Sequence, residues 1–201
     1  MAYSNFTFDS VREMFALEAV QTIGLFSGIE PVAPTPLLTS VLARKVPLAV
    51  AIGTEKARSE LIIADVLVEL CEHFERRISL FSGIDFNVDE ENGLVGVCDF
   101  VISLSPLQES LEAPIIILVE AKNVDVKQGI GQCVAEMLAA QRFNAKKGND
   151  ISRVYGASTT GTEWRFLKLE GQTLYLDMGV YSIDRCDKLL GILASMVKQE
   201  A

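Results

Sequence analysis

The fold is decided by the stretch Ile115-Ile116-Ile117-Leu118-Val119-Glu120-Ala121-Lys122. Its first five residues form an unbroken apolar run, which is typical of a strand covered on both faces of its sheet. Two charged residues then follow, although buried strands rarely carry charge. Because side chains alternate across a strand, Glu120 and Lys122 share one face while Ala121 takes the other. The stretch therefore predicts a central strand that brings a carboxylate and a lysine to one point.

A second charged residue lies in the preceding strand-like stretch, Leu94-Val95-Gly96-Val97-Cys98-Asp99-Phe100-Val101-Ile102. Apolar residues fall on both faces of this stretch, so the carboxylate of Asp99 is expected to be largely buried. Burying an unpaired charge is costly, and a metal ion or a paired lysine is the usual remedy. If the two stretches are neighbouring strands, the charges of Asp99, Glu120 and Lys122 converge.

Periodicity and turn signals predict the elements around these two strands. Helices are expected over residues 9–22, 54–77, 127–147 and 184–198, and strands over 79–88, 94–104, 114–122, 154–158, 164–169 and 173–181. In the helix that begins after Thr54, Glu60 falls on the line of the apolar stripe. The Pro-rich region from Gly24 to Gly53 predicts extended segments or a hairpin and a lid-like loop. The order indicates an α/β fold with a mixed sheet and helices on both sides.

The length and charge of the chain limit the function classes. With 201 residues, of which 49% are hydrophobic, the chain suits one domain. A net charge of −9 opposes non-specific binding to nucleic acid. A local basic track, or divalent cations bound to clustered carboxylates, can still meet phosphate. Two basic patches are candidates for such a track: Arg44, Lys45, Lys56 and Arg58, and Arg142, Lys146 and Lys147.

The cysteine and histidine content narrows the chemistry further. The four cysteines form no zinc-like spacing, so reduced core thiols are expected: Cys71, Cys98, Cys133 and Cys186. His73 is the sole histidine, so carboxylates must carry any acid, base or metal role. No secretory signal and no apolar run long enough to cross a bilayer is visible, and we expect a cytoplasmic location.

The carboxylates and the lysine suit metal-assisted hydrolysis of a phosphodiester. Asp99 and Glu120 can hold a hard cation, because Mg²⁺ commonly takes only one or two protein carboxylates besides water and substrate phosphate. Such a cation lowers the pKa of a bound water and neutralises charge on the phosphate. Lys122 can orient the attacking water or stabilise the developing negative charge.

These residues resemble the signature of the PD-(D/E)xK nuclease superfamily, an Asp followed some distance later by (Asp/Glu)-x-Lys. Here Asp99 is followed by twenty residues and then by Glu120-Ala121-Lys122. The resemblance implies a restriction-endonuclease-like core of helix, three strands, helix and a further strand. It covers residues 55–180 of a single domain, 1–201, with an N-terminal extension over 1–54 and an added C-terminal hairpin and helix, the helix over 184–199.

The resemblance also implies the roles of individual residues. Asp99, Glu120 and a Glu of the first helix, Glu60, would bind Mg²⁺ or Mn²⁺, and Lys122 would serve catalysis on DNA. Some branches carry a Gln on the helix after the third strand, which Gln132 matches best and Gln128 second. Two positions depart from the patterns of the superfamily: Cys98 stands in place of a Pro, and Glu136 in place of the Tyr of a Gln-x-x-x-Tyr pattern.

A further stretch, Thr160-Gly161-Thr162-Glu163-Trp164, is similar to the T-G-x-x-W hairpin in the N-terminal nuclease domains of type I restriction enzymes. Simpler interpretations stand beside these roles. The residues Asp99, Glu120 and Lys122 could form a structural ion-pair network, Trp164 could serve packing alone, and Gln132 could be a surface amide. Glu60 could be the solvent-facing partner of Arg58 or Lys56.

Three functions therefore remain open. The leading hypothesis is a Mg²⁺-dependent deoxyribonuclease. The alternative is an inactive nuclease-like scaffold that serves as an interaction or regulatory protein, for example as a homodimer. A third interpretation makes Lys122 a Schiff-base lysine of a small-molecule enzyme, which requires a carbonyl pocket that no motif indicates.

Overall fold

A mixed β-sheet runs through the molecule, and helices cover both of its faces. The structure, a computed structural model, describes residues 2–149 and 151–200, so the predicted domain ends, Met1 and Ala201, lie outside it. Among the described residues, eight strands belong to one sheet in the order β1-β7-β6-β5-β4-β3-β2, with β8 paired to β6. The β1–β7 and β4–β5 pairs are parallel and the other pairs antiparallel. The prediction of an α/β fold with a mixed sheet flanked by helices is confirmed.

The strands and helices have the following bounds. The strands are β1 (Glu18–Thr22), β2 (Ser79–Asp85), β3 (Val97–Ser103), β4 (Ile115–Ala121), β5 (Arg153–Thr159), β6 (Glu163–Glu170), β7 (Thr173–Asp177) and β8 (Tyr181–Ser182). The helices are α1 (Phe8–Met14), α2 (Pro36–Ile52), α3 (Glu55–Arg58), α4 (Ala64–His73), α5 (Ile130–Lys146) and α6 (Cys186–Glu200). A π-helical turn, Ser59–Ile63, joins α3 to α4, and a 3₁₀ turn, Val126–Gly129, leads into α5.

The helix expected after Thr54 forms as predicted at its start. The Thr54 hydroxyl accepts a hydrogen bond from the Ala57 N–H, as an N-cap does. The helical segment then continues through the π-helical turn to His73. It ends there, before the predicted boundary, because Glu75 and Arg76 adopt left-handed backbone angles.

The prediction of one helix over residues 9–22 is wrong in its second half. Helix α1 ends at Met14, and Ala16 turns the chain with a φ of 49°. The residues after this turn form the edge strand β1, which pairs in parallel with β7. Val20 and Thr22 are β-branched, so the sheet edge accommodates them better than a helix would.

The prediction of extended segments and a lid-like loop between Gly24 and Gly53 is also wrong for most of that region. A helix, α2, occupies residues 36–52. The Thr35 hydroxyl caps it by accepting from the Leu38 N–H, and Pro36 stands at the start, where a proline is well tolerated. Pro47 lies inside the helix and is exposed, so its ring meets solvent instead of the core.

The remaining predicted elements form close to their expected positions. All three strands after the first long helix and the helix expected over 127–147 are present, and a turn at Gly93 links β2 to β3. The stretch predicted as one strand over 173–181 is divided into β7 and β8. One core lies between the sheet and α2, α4 and α6, and the other between the sheet, α5 and the N-terminal segment.

Two further expectations concern the thiols and the membrane. All four cysteines lie among the described residues and are free thiols, three of them buried. None of the helices in the described part of the chain combines the length and the apolar character that crossing a membrane requires.

Candidate active site

Asp99 and Glu120 come together across two neighbouring strands. Phe100 of β3 pairs with Val119 of β4, so Asp99 and Glu120 are the next residues of the two strands at the same end of this antiparallel pair. The Asp99 Oδ2 accepts a hydrogen bond of 2.8 Å from the Ala121 N–H, which fixes the carboxylate against β4. The adjacency that the two charged stretches predicted is therefore present.

Glu120 is a buried carboxylate with one satisfied oxygen. Only 1% of the residue is exposed, and its Oε1 binds the Lys122 ammonium. The other oxygen, Oε2, is buried and has no hydrogen-bond partner among the described residues. Burial, and after it the charge of Asp99, raises the pKa of Glu120 to about 8, although Lys122 acts in the opposite direction. The site therefore contains more carboxyl groups than its one lysine can hold in the ionised form.

Lys122 is held at the end of β4 by its backbone and its side chain. Its N–H donates to the Thr159 carbonyl over 2.7 Å, and its ammonium reaches the Gln132 Oε1 at 3.5 Å as well as Glu120. Burial alone would lower the pKa of Lys122, but the charge and hydrogen bond of Glu120 raise it, helped by Glu55. Lys122 is therefore a fixed ammonium that faces the carboxylates.

Helix α5 adds a residue that the sequence interpretation missed. Gln132 Nε2 donates to Glu136 Oε1 over 3.2 Å, one turn along the helix. Glu136 is fully buried, and its Oε2 has no partner among the described residues. Burial, followed by the charge of Glu120, raises the pKa of Glu136 well above its usual range. The departure from the Gln-x-x-x-Tyr pattern was the signal, since it puts a second acid beside the site. Gln128, the other candidate amide, is exposed.

Gly129 and Ser158 complete the inner wall of the site, and neither was predicted. Ser158 of β5 pairs with Glu120 in the parallel β4–β5 register and is fully buried. A Cβ atom on Gly129 would lie 2.3 Å from the Ser158 Oγ, 3.1 Å from the Lys122 Cγ and 3.2 Å from the Glu120 Cγ. The residue before α5 must therefore be small, because the helix starts directly against these three side chains.

Glu60 does not join the other carboxylates. It is exposed, and its Oε1 lies 3.6 Å from the Lys56 ammonium, one turn earlier. It lies in the π-helical turn, where the wider winding moves it off the apolar stripe that buries Ile63 and Leu67. The expectation that Glu60 follows this stripe is therefore wrong.

Glu60 nevertheless borders the same surface depression as Asp99. This depression has a volume of about 360 Å³ and is lined by Glu55, Lys56, Ser59, Glu60, Ser82, Gly83, Asp99 and Phe100. Glu55 was not predicted as a site residue, yet its charge acts on Lys122. Its position in the first turn of α3 is the feature that could have indicated it.

The hairpin that contains Trp164 packs against the start of the same helical segment. The Trp164 Nε1–H donates to the Gly161 carbonyl over 3.0 Å, and the indole is fully buried. The Arg58 guanidinium donates to the Thr160 carbonyl over 2.9 Å. Trp164 is thus a packing residue, which agrees with the simpler interpretation, and Arg58 ties the hairpin to α3.

The residues of the two predicted basic patches do not all lie together in the structure. Lys56 lines the depression beside Asp99, and Arg58 lines a neighbouring one with Asn123 and Thr162. Other members are paired elsewhere: Lys45 with Asp65, and Arg142 with Asp89.

Asp177, at the end of β7 near the opposite edge of the sheet, is a buried carboxylate with a purely structural set of hydrogen bonds. Asp177 is fully buried and accepts hydrogen bonds from the N–H groups of Gly24, Phe26 and Gly179 and from the Tyr181 hydroxyl. Both of its oxygens have partners. Glu120 and Glu136 each keep an oxygen without one, although buried polar atoms are normally satisfied.

The donor set fits a cation bound by few protein ligands. Within residues 2–149 and 151–200, no group of three or more His, Cys, Asp and Glu side chains could hold a metal ion. Asp99 and Glu120 remain as a pair of hard oxygen donors, with an unsatisfied oxygen on Glu120. Mg²⁺ is compatible with such a pair, because it keeps several waters and takes oxygens from substrate phosphate.

The chain matches no protein-family model, no curated protein and no solved structure.

Proposed function

We propose that this chain is a deoxyribonuclease that hydrolyses phosphodiester bonds in DNA with Mg²⁺ or Mn²⁺. One observation carries the proposal: Asp99 and Glu120 meet at the same end of two neighbouring strands, with Lys122 bound to Glu120. The buried Glu120 oxygen that lacks a partner among the described residues supports it, because a structural acid such as Asp177 has partners on both oxygens.

The order of elements supports a restriction-endonuclease-like core. A helical segment, three strands, helix α5 and strand β5 follow one another along the chain. Asp99 lies on the second of these strands and Glu120 on the third, with Lys122 directly after it. This is the arrangement that the resemblance to the PD-(D/E)xK superfamily implies.

The side chains at the site have complementary chemical roles. A bound divalent cation would lower the pKa of a water ligand and neutralise charge on the scissile phosphate. Asp99 and Glu120 provide the oxygen ligands for it. The Lys122 ammonium, held by Glu120 and Gln132, can stabilise the negative charge that develops on the phosphate. Lys56, on the rim of the depression, can contact a flanking phosphate.

A plasmid-nicking assay tests the proposal. The purified chain is incubated with supercoiled plasmid and Mn²⁺, with and without a chelator, alongside Lys122→Ala and the matched variant Lys127→Ala. Lys127 is an exposed lysine of the 3₁₀ turn. We expect nicking that needs the cation, a loss of roughly 100-fold or more in Lys122→Ala, and normal nicking by Lys127→Ala. Nicking that survives in Lys122→Ala at full rate, or no nicking by the wild type, would contradict the proposal.

A second candidate is an inactive nuclease-fold protein that binds a partner or a second copy of itself. The exposed apolar side chains of α2 favour it, because four large ones are about half exposed or more: Leu37, Leu48, Val50 and Ile52. The net charge of −9 also favours it over DNA binding. This candidate expects no nicking with any divalent cation, and a particle of about twice the chain mass in analytical ultracentrifugation if the partner is a second copy.

A further inference from the structure

Three buried oxygen atoms at the site share an unusual property. The Oε2 of Glu120, the Oε2 of Glu136 and the Oγ of Ser158 each lack a hydrogen-bond partner among the described residues. The three residues are at most 1% exposed. Buried polar atoms without partners are rare and usually mark a function or a missing ligand.

The fold brings Ser158 and Glu120 side by side. They are partners in the parallel β4–β5 register, so their side chains leave the sheet on the same face. The close approach of Gly129 to the Ser158 Oγ and to the Glu120 Cγ shows that both side chains line the space beneath the start of α5. The Ser158 side chain therefore lies next to that of Glu120, although no hydrogen bond joins the Ser158 Oγ to the Glu120 Oε2 in the structure.

Not every buried hydroxyl of this protein shares this property. Ser103 is fully buried, and its hydroxyl donates to the Glu112 carbonyl over 2.6 Å and accepts from the Ser105 N–H. The backbone of Ser158 pairs with strands on both sides of β5. Its hydroxyl is therefore the polar group that has no partner among the described residues.

We propose that Ser158 is a positioning residue of the cation site, an inference that rests on the proposed function. With a cation bound, Glu120 would be a carboxylate, and the Ser158 hydroxyl would donate to one lone pair of its Oε2, which leaves the other lone pair for the ion. Glu136 can donate to Glu120 only while it is protonated, whereas a hydroxyl donates in either state of its neighbours. Hydrogen bonds of this kind orient metal ligands and typically change metal affinity 10- to 100-fold.

Calorimetric titration with Mn²⁺ tests this role independently of catalysis. The variant Ser158→Ala removes the hydroxyl, and Ser158→Thr keeps it. Ser79→Ala is the matched control, because Ser79 is also a buried serine whose hydroxyl lacks a partner among the described residues. It pairs with Ser103, at the other end of β3 from Asp99.

We expect Ser158→Ala to bind Mn²⁺ roughly 10-fold more weakly than the wild type, and Ser158→Thr and Ser79→Ala to bind within about twofold of it. Thermal melts without metal show whether each variant is folded. Equal affinity in Ser158→Ala and wild type would overturn the role of Ser158 while leaving the proposed function intact. Weak binding by a folded Ser158→Thr would overturn it too, because packing and not the hydroxyl would then matter. A wild type that binds no Mn²⁺ would instead refute the proposed function, and with it this inference.

Discussion

At the scale of single residues, the site is a group of carboxyls with too few cations. The carboxyls of Asp99, Glu120 and Glu136 interact with one another beside a single half-buried lysine, Lys122, and burial raises the pKa of Glu120 and of Glu136. Such groups hold protons in the folded chain at a pH where an unfolded chain has released them. The folded state therefore binds more protons between about pH 4.5, the ordinary value for Glu, and about pH 8. Stability without metal must fall as the pH rises through this window.

The variant Glu136→Gln tests this reasoning. A glutamine removes one of the two raised carboxyls but keeps a polar amide beside Gln132, so the decline of stability with pH should become shallower. One proton of linkage is worth about 1.4 kcal/mol per pH unit, which is the largest change expected. Urea unfolding of the metal-free protein at several pH values between about 5 and 8 measures it. The exposed Glu109→Gln is the control, and an identical slope in wild type and Glu136→Gln would contradict the account.

At the scale of elements, the position of α5 against the sheet sets the geometry of the site. Gly129, the residue directly before its first turn, packs on Ser158, Lys122 and Glu120 and has no side chain that would collide with them. The helix in turn delivers Gln132 and Glu136 to the interior.

Gly129→Ala should therefore disturb both stability and the site. The added methyl group overlaps the Ser158 hydroxyl, and overpacking of this kind costs about 1–3 kcal/mol. Urea unfolding measures the loss. Gly28→Ala is the matched control, because no atom lies within 4 Å of a Cβ placed there. If the two variants prove equally stable, α5 does not start against these side chains.

The elements that could be predicted are those with a clear local signal. The apolar run of β4, the stripe of Ile63 and Leu67 and the cap at Thr54 each determine one element, and the β3–β4 pair brings Asp99 to Glu120. The helix α2 could not be predicted because its prolines resemble loop signals, although Pro36 is favourable at a helix start. Strand β1 depends on its pairing with β7, which no local pattern indicates.

The site residues divide in the same way. Strand alternation and the family resemblance were enough to predict that four residues lie together: Asp99, Glu120, Lys122 and Gln132. Ser158 could not be predicted, because its position beside Glu120 depends on the register of two strands far apart in the chain. Glu60 was misplaced since a π-helical turn cannot be recognised from apolar spacing alone.

At the scale of the whole molecule, the negative net charge and the candidate site both bear on whether the protein can bind DNA. A chain with a net charge of −9 repels DNA at long range, and the proposed cation would reduce that repulsion at the carboxylates, where a phosphate would have to approach. The exposed apolar side chains of α2 support the other candidate, an inactive protein that binds a partner or a second copy of itself. A measurement of cation binding therefore distinguishes the nuclease from the inactive binding protein more directly than the net charge does.

Isothermal titration with Mn²⁺ of the wild type and Asp99→Ala is the most direct test. In the proposed metal site Asp99 is one of two carboxylate ligands, and it is partly exposed, so its replacement should leave the fold intact and abolish cation binding. The account predicts a saturable binding isotherm for the wild type that is lost or weakened at least 10-fold in Asp99→Ala. Identical isotherms for the two proteins, or no binding by either, would contradict the claim that Asp99 and Glu120 form a metal centre.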